Sequence, residues 1–182
     1  MHYLIVPGYG DSGPDHWQTL WEKILRDTSR VVQKDWFNPS REEWVESLDG
    51  CVRDLKIPTV IVAHSLGVVT TVHWLLKSRA MGSLPRTVKG LFLVAPADAD
   101  AVPLAKDFAP VPLQKLPLPS CVVASENDQY VTIERARVFA ESWGSVFYDV
   151  GALGHINSES RLENWEQGMK LLEAFEKGAN LQ

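Results

Sequence analysis

The sequence contains few of the features that identify secreted, membrane-spanning or nucleic-acid-binding proteins. Only two of its 182 residues are cysteines, Cys51 and Cys121, which is too few for a secreted disulfide framework and favours a reducing cytoplasm. Lysine and arginine number 18 against 23 acidic residues, and no basic run is present, so a nucleic-acid partner is not expected. No apolar run approaches the roughly 20 residues of a membrane span, so a membrane partner is not expected either.

Metal-ligand clusters and targeting signals are also missing from the sequence. The histidines and cysteines show no metal-ligand spacing, so neither a metal nor another cofactor is expected. Segment 1–6 is too short and uncharged for a signal peptide and is typical of a first strand. With 45% hydrophobic and 23% charged residues, the chain has the composition and length of one domain spanning 1–182.

Strand and helix patterns alternate along the chain. They predict strands at 3–6, 30–34, 59–63, 88–95, 121–124 and 146–150, and helices from Pro14, from a capping box at 40–43, after 67, over 133–143 and over 160–176. Such alternation predicts an α/β fold with a six-stranded, mostly parallel sheet and helices on both faces. In these sheets ligands bind beyond the carboxyl ends of the strands, so functional residues are expected there.

A serine lies where the third predicted strand gives way to a helical pattern. Residues 63–67, Ala-His-Ser-Leu-Gly, have the G-x-S-x-G form of a nucleophile elbow, with Ala63 in place of the first glycine. Small flanking residues let the strand and helix backbones approach, and the turn lifts Ser65 Oγ clear of the sheet. The alternative interpretation is an ordinary helix start with Ser65 as its N-cap.

Two further polar residues follow later strands at the same edge of the sheet. Asp128 comes after the fifth strand and His155 after the sixth, and the order Ser65, Asp128, His155 is that of elbow hydrolases. In such a triad His155 accepts the serine proton, while Asp128 fixes the imidazole tautomer and stabilises the imidazolium. Each residue alone also fits an ordinary turn or an exposed loop. Their coincidence in order and sheet edge favours the triad.

Three other carboxylates compete with Asp128 for the position of the acid. Glu126 has the wrong parity if the fifth strand continues through it, and Asp98 and Asp100 follow the fourth strand, which is a less usual source. The oxyanion hole is predicted to use the main-chain amide of Leu66, the residue after the nucleophile, and that of Tyr9 in the loop after the first strand. The Tyr9 side chain also fits a residue that merely covers apolar surface.

The remaining histidines and the tryptophans are given structural interpretations. His16 is expected on the surface of the first helix, and His64 is expected to point away from the site because strand side chains alternate. His73 is interpreted as a satisfied structural histidine. Five tryptophans are interpreted as core packing: Trp17, Trp21, Trp44, Trp74 and Trp165.

A competing motif occupies the loop after the first strand. Gly8, Gly10 and Gly13 match G-x-G-x-x-G, and Asp35 follows 22 residues after Gly13, as in a dinucleotide-binding fingerprint. Pro14 delays the helix beyond the third glycine, and Asp11 would place a carboxylate against a phosphate. The interpretation also leaves the serine, the aspartate and the histidine unexplained, so dinucleotide binding is kept only as an alternative.

These residues together resemble the small α/β hydrolases of the retinoblastoma-binding-protein-9 type. The resemblance covers nearly the whole chain, and the block 154–157 is its most specific part. The motifs that carry it are Pro7-Gly8-Tyr9-Gly10, His16-Trp17, Ala63-His64-Ser65-Leu66-Gly67, Asn127-Asp128 and Gly154-His155-Ile156-Asn157.

This resemblance implies a compact α/β-hydrolase fold without a separate cap domain and a carboxylesterase-like serine hydrolase with the triad Ser65, Asp128 and His155. The L-x-C-x-E motif behind the family's name is not matched. In residues 48–51, Leu-Asp-Gly-Cys, the cysteine is one position late and no glutamate follows. The pocket-protein partner is therefore not carried over.

We therefore predict a serine hydrolase that cleaves small carboxylic esters, with amide or thioester bonds as further candidates, through an acyl-enzyme on Ser65. The expected partner is a small-molecule ester. Segment 96–119 is the only stretch long enough to cover the site, so an open site that prefers short acyl chains is expected. The alternative from another class is a non-catalytic binding protein on the same fold.

Overall fold

The computed structural model describes residues 1–181, which form a six-stranded sheet flanked by helices. The elements in chain order are β1 His2–Val6, α1 Trp17–Ile24, β2 Thr28–Arg30, α2 Arg41–Asp54, β3 Thr59–His64, α3 Leu66–Ala80, β4 Val88–Val94, β5 Ser120–Ala124, α4 Ile133–Trp143, β6 Val146–Asp149 and α5 Glu166–Gly178. Two short 3-10 helices, Pro103–Phe108 and Ser158–Ser160, lie in loops. The predicted α/β fold is confirmed.

All strand pairings of the sheet are parallel, in the order β2-β1-β3-β4-β5-β6. The carboxyl ends of the strands therefore meet at one edge. The direction of winding reverses between β1 and β3, and in open α/β sheets the binding crevice lies at such a switch point. The loop after β1 and the turn after β3 consequently flank the same crevice.

Both faces of the sheet are covered by helices. Alternate residues of β3 pack into different cores, with Ile61 and Ala63 on the face covered by α2, α3 and α4, and Val60 and Val62 on the face covered by α1 and α5. Burial of each large apolar side chain contributes roughly 1.5–3 kcal/mol. The five tryptophans interpreted as packing are at most 3% exposed, so that prediction is confirmed.

The second strand lies earlier than predicted. It was expected at 30–34, yet the register pairs Tyr3 with Thr28 and Ile5 with Arg30. An edge strand pairs through its main chain, so its polar side chains do not prevent it from forming. After Arg30, the Val31 amide donates to the Ile5 carbonyl at 2.9 Å and the chain then leaves the sheet.

Two helix starts also differ from prediction. Helix α1 begins at Trp17 instead of Pro14, because residues 13–16 form a turn in which the His16 amide donates to the Gly13 carbonyl. Helix α5 begins at Glu166 instead of residue 160. Positive φ angles at Arg161, Glu163 and Trp165 break the helical path before it.

The prediction of a capping box at Ser40 is wrong, because its hydrogen bonds do not form. Ser40 is the N-cap of α2, but its side chain makes no capping bond. The Arg41 amide donates instead to Asp107 Oδ2 at 2.7 Å, and Glu43 pairs with Lys34. A distant carboxylate has therefore replaced the local cap.

Segment 96–119 contains only the 3-10 helix Pro103–Phe108 and loops, and no insertion of domain size interrupts the sheet within residues 1–181. None of the described helices is long and apolar enough to cross a membrane. Both cysteines are free thiols, with Cys121 buried in β5.

Candidate active site

Ser65 occupies a strained turn between β3 and α3. Its backbone has φ 56° and ψ −123°, a conformation that few residues other than glycine adopt. The Ser65 amide donates to the Val94 carbonyl on the neighbouring strand at 3.0 Å, which anchors the turn to the sheet. The Ser65 side chain makes no capping bond to the helix, so the interpretation as an ordinary N-cap is wrong.

Two glycines allow the backbone to approach this turn. A Cβ on Gly67 would lie 2.5 Å from the Pro7 carbonyl oxygen and also against that of Val6. A Cβ on Gly8 would lie 2.7 Å from Ser65 Cβ and 3.2 Å from its Oγ. Any larger residue would push the loop after β1 and helix α3 apart, so both positions require glycine.

A continuous hydrogen-bond chain joins the three residues that the sequence singled out. Ser65 Oγ lies 2.7 Å from His155 Nε2, and His155 Nδ1 lies 2.8 Å and 2.9 Å from the two carboxylate oxygens of Asp128. With Nδ1–H donating to the carboxylate, Nε2 is free to accept the serine proton. The Asp128 side chain is fully buried, which shields this interaction from water.

The loops that carry Asp128 and His155 are joined by two side chains to which the sequence analysis gave no role. Asn127 Oδ1 accepts hydrogen bonds from the Gly154 amide at 2.7 Å and from Ser125 Oγ at 3.0 Å. Ser125 Oγ in turn accepts from the Leu153 amide at 2.8 Å. Their position at the carboxyl end of β5, next to the candidate acid, is the signal that could have identified them.

Tyr130 supports the same pair of residues from a third side. Its amide donates to Asp128 Oδ1 at 2.8 Å, and its ring packs edge-on against His155 with centroids 4.5 Å apart. Ile156 is held in a positive-φ conformation, and its carbonyl accepts from Trp17 Nε1 at 2.8 Å. The orientation of the His155 ring is thus set by contacts from three loops.

The rival carboxylates are engaged elsewhere. Asp98 and Asp100 pair with Arg135 at 3.2 Å and 2.6 Å, and Glu126 is exposed to solvent. None of them makes a hydrogen bond to His155 within the described residues. Asp128 is the carboxylate that the fold places beside the imidazole.

The two candidate oxyanion donors border the same pocket as Ser65. Within residues 1–181 neither the Leu66 amide nor the Tyr9 amide donates to another protein group, so both are available to a ligand. The Tyr9 side chain is 41% exposed and packs edge-on against Phe37 at 5.7 Å between centroids. Its ring therefore covers apolar surface, as the alternative interpretation proposed, whereas its amide remains a candidate donor.

Two histidine predictions are wrong. His16 was expected on the surface, but it is only 4% exposed and caps α1 by accepting from the Gln18 amide at 3.1 Å. His64 was expected to point away, but its Nε2 lies 2.9 Å from the His155 carbonyl oxygen and its ring is 4.9 Å from the His155 ring. The His155 loop contacts His64 directly and His16 packs against His64 at 4.8 Å between ring centroids, so the surroundings of both side chains depend on a contact that is distant in sequence.

Burial also sets the protonation of these two side chains. It lowers the pKa of His16 to about 3, with further contributions from the charges of Arg30 and His155. Burial likewise lowers the pKa of His64 well below its ordinary value. Both imidazoles are therefore neutral at neutral pH, because the cost of burying the charged form exceeds the attraction of any nearby group. His73, as predicted, has a structural partner, the Phe108 carbonyl at 2.8 Å.

The glycine-rich loop after β1 is not arranged as a phosphate-binding site. Asp11 points its carboxylate at Arg30, 2.8 Å away, so the loop already contains an anion. Asp35, the candidate ribose ligand, accepts instead from the Phe37 and Asn38 amides at 2.8 Å and 3.0 Å in an exposed turn. The residues of the fingerprint are engaged in loop structure, which argues against dinucleotide binding.

The pocket above Ser65 has a volume of about 220 Å³. One wall is apolar and comes mainly from segment 96–119, and the other carries polar groups. The lining residues are Tyr9, Asp11, His16, His64, Ser65, Leu66, Ala97, Val102, Leu104, Ala105, Tyr130, His155, Asn157 and Ser158. Among residues 1–181 there is no group of three or more histidine, cysteine or acidic side chains that could hold a metal ion.

Comparison with known proteins identifies the family to which the chain belongs. A family model described as "Serine hydrolase" matches residues 3–174, so the chain belongs to the serine hydrolase family and is a hydrolase. No curated protein matches the sequence.

Solved structures of hydrolases share the fold over nearly the whole chain. A YdeN-like hydrolase from Pectobacterium atrosepticum is 29% identical, with a TM-score of 0.86 over 98% of this chain and 91% of that chain. The ydeN gene product of B. subtilis is 20% identical, with a TM-score of 0.80 over 96% and 97%. Est1E from Butyrivibrio proteoclasticus is 11% identical, with a TM-score of 0.67 over 94% and 86%, and at such identities the likeness shows the fold alone.

Proposed function

We propose that this protein hydrolyses small carboxylic esters through an acyl-enzyme on Ser65, with His155 as general base and acid and Asp128 as the orienting carboxylate. The observation that carries the proposal is the 2.7 Å contact between Ser65 Oγ and His155 Nε2. A serine hydroxyl is a weak nucleophile until a positioned base accepts its proton. The buried Asp128 stabilises the imidazolium that this transfer creates.

The proposed reaction has two halves. Ser65 Oγ attacks the ester carbonyl while His155 Nε2 accepts its proton, and the amides of Leu66 and Tyr9 donate to the developing oxyanion. The intermediate collapses, the acyl–oxygen bond breaks, and His155 returns the proton to the departing alcohol. A water molecule then attacks the acyl-enzyme with His155 again as base, which releases the acid and restores Ser65.

The dimensions of the pocket support short substrates. Its volume of about 220 Å³ lies below the roughly 300–1,000 Å³ typical of pockets for drug-sized ligands. Segment 96–119 contributes the apolar wall instead of a lid. We expect acetate and propionate esters to be better substrates than long-chain lipid esters, with amides and thioesters as further candidates. The two free thiols support the proposal that the enzyme works in the cytoplasm.

The matches between this chain and the motifs of the retinoblastoma-binding-protein-9 type support the same chemistry. That type of protein resembles this chain at the elbow, at Asp128 and in the block 154–157. We therefore propose that this protein is of that type and has carboxylesterase specificity.

Covalent labelling with a fluorophosphonate probe tests the proposal. We expect the wild type to be labelled and Ser65→Ala to lose both labelling and turnover with nearly the same thermal midpoint. Ser78→Ala, at the far end of the same helix, is the matched control and should be labelled like the wild type. A folded wild-type protein that neither reacts with the probe nor hydrolyses acetate esters would be a binding protein, and the proposal would be wrong.

A further inference from the structure

A third histidine lines the pocket with a hydrogen-bond donor that the protein itself does not use. His16 is 4% exposed, and its Nδ1 accepts a hydrogen bond from the Gln18 amide at 3.1 Å. A ring nitrogen that accepts from an amide carries no proton, so the neutral ring carries its proton on Nε2. The helix cap therefore selects the tautomer of this side chain.

The His16 side chain, with its Nε2–H group, lines the space that a substrate would fill. Within residues 1–181 the group has no hydrogen-bond partner, and the side chain lines the pocket together with Ser65 and His155. The His16 ring stacks edge-on against His64 at 4.8 Å, which leaves it little freedom to turn. Because Nε2 is not completely buried, water reaches it from the pocket, and a ligand acceptor at this position would take the place of that water.

The position of His16 relative to His155 indicates which part of the ester meets this donor, since the His64 ring packs against both rings, at 4.8 Å and 4.9 Å between centroids. His155 gives its proton to the alcohol, so the leaving group must lie beside His155 Nε2. The side of the pocket next to His155 carries polar residues, since Asn157 and Ser158 follow it in the chain and also line the cavity. The apolar wall formed by residues such as Val102 and Ala105 is left for the acyl chain.

We infer that His16 Nε2–H donates a hydrogen bond to an oxygen in the alcohol part of the ester, so that the enzyme prefers esters of ether- or hydroxyl-bearing alcohols over esters of plain alkanols. This inference rests on the proposed function. It names His16 as a specificity-determining residue, since the residue would touch the substrate without taking part in proton transfer.

Two isosteric esters test the inference on the wild-type enzyme. Butyl acetate and 2-methoxyethyl acetate have the same length, and an ether oxygen replaces one methylene group. The measured quantity is the ratio of their kcat/KM values, divided by the same ratio for hydroxide-catalysed hydrolysis to remove intrinsic reactivity. A net hydrogen bond predicts a normalised ratio of about 3 to 10 in favour of the ether ester.

A matched pair of variants assigns the preference to one ring nitrogen. His16→Asn keeps an acceptor for the Gln18 amide, near the position of Nδ1, but lacks the distant donor. His16→Gln places an amide N–H group near the position of Nε2 and loses the cap. We expect the normalised ratio to fall close to 1 in His16→Asn and to stay near the wild-type value in His16→Gln. Thermal midpoints check that both variants fold.

The possible outcomes separate this inference from the proposed function. A wild type that shows no preference for the ether ester overturns the inference, and so does a His16→Asn variant that retains the preference. In both cases fluorophosphonate labelling of Ser65 would continue to support the proposed function. A wild type that is neither labelled nor active overturns the proposed function and the inference together.

Discussion

Three histidine rings lie next to one another at this site, those of His155, His16 and His64. They differ in whether a carboxylate lies beside the ring. His155 has the buried carboxylate of Asp128 at 2.8 Å, whereas within residues 1–181 the hydrogen bonds of His16 and His64 go to main-chain groups. A carboxylate stabilises the imidazolium, so a histidine beside it can accept a proton during a reaction. A buried histidine without one stays neutral and acts as a fixed donor or acceptor.

The difference follows from the loops that carry the three rings. Asp128 and His155 follow adjacent strands, β5 and β6, and Asn127 ties their loops together. His16 precedes α1 and His64 ends β3, and within residues 1–181 neither ring makes a hydrogen bond to a carboxylate. Of the several carboxylates near this edge of the sheet, the fold places Asp128 beside an imidazole, that of His155.

The largest effect is expected when His155 loses its carboxylate partner and so resembles His16 and His64. Asp128→Asn keeps the shape of the side chain and still accepts from the Tyr130 amide, but it removes the negative charge. In serine proteases such a change lowers kcat about 10⁴-fold, and we expect a loss of that order near neutral pH. Steady-state kinetics with an acetate ester measure the loss, and thermal unfolding should show a folded variant.

Substitutions of the rival acids serve as controls for this loss. Asp98→Asn, Asp100→Asn and Glu126→Gln should each retain activity within about tenfold, equivalent to less than roughly 1.4 kcal/mol of transition-state stabilisation. Asp98 and Asp100 hold Arg135, so their loss can reduce stability without stopping the reaction. If Asp128→Asn is nearly as active as the wild type and Asp98→Asn is inactive, the carboxylate of the triad lies in the loop after β4.

The neutral histidines predict a second, smaller effect, a loss of stability in acid. The pKa of His16 falls from its ordinary value of 6.5 to about 3 in the fold, so below pH 6.5 the unfolded chain binds a proton that the folded protein does not. The stability contributed by the neutral ring is complete above pH 6.5 and is lost as the pH falls towards 3. Between pH 7 and 5 this costs about 2 kcal/mol for His16.

Denaturant unfolding at several pH values measures that slope. His16→Asn has no ionisable side chain at this position, so its free energy of unfolding should fall less steeply between pH 7 and 5, by about 2 kcal/mol. His64 contributes in the same direction, because its pKa is also lowered. Equal slopes for the wild type and His16→Asn would mean that His16 ionises freely in the folded protein.

The sequence was sufficient to group the three triad residues, but not to predict the position of His16 in the pocket. Strand alternation and the parallel sheet place the loops after β3, β5 and β6 at one edge, so the order of Ser65, Asp128 and His155 was sufficient to group them. The surroundings of His16 depend on a loop about 140 positions later in the chain, because its neighbour Trp17 donates to the Ile156 carbonyl at 2.8 Å and the His64 ring beside it is bonded to the His155 carbonyl. No local pattern carries that contact, and a helix N-cap ordinarily indicates a surface position.

Element boundaries failed for a related reason. Residues 160–165 have composition compatible with a helix, but the Ser160 side chain donates to the Leu153 carbonyl at 2.6 Å and accepts from the Asn157 amide at 3.2 Å. These bonds stabilise the loop around His155 and delay α5 until Glu166. A local propensity was therefore overridden by the tertiary structure of the site, in the region where Asn157 and Ser158 line the pocket.

The smallest effect on turnover is expected at His64, which acts on His155 through the main chain. Its Nε2–H donates to the His155 carbonyl at 2.9 Å. His64→Leu removes that donor and leaves a buried carbonyl without its partner, which should lower the free energy of unfolding by about 1–3 kcal/mol. A displaced His155 ring should also reduce kcat, by about tenfold or less. His64→Gln places an N–H group at nearly the same position and should restore both quantities. If His64→Leu is as stable and as active as the wild type, the bonds of Asn127 and Ser160 suffice to hold the loop, and His64 is only a packing residue.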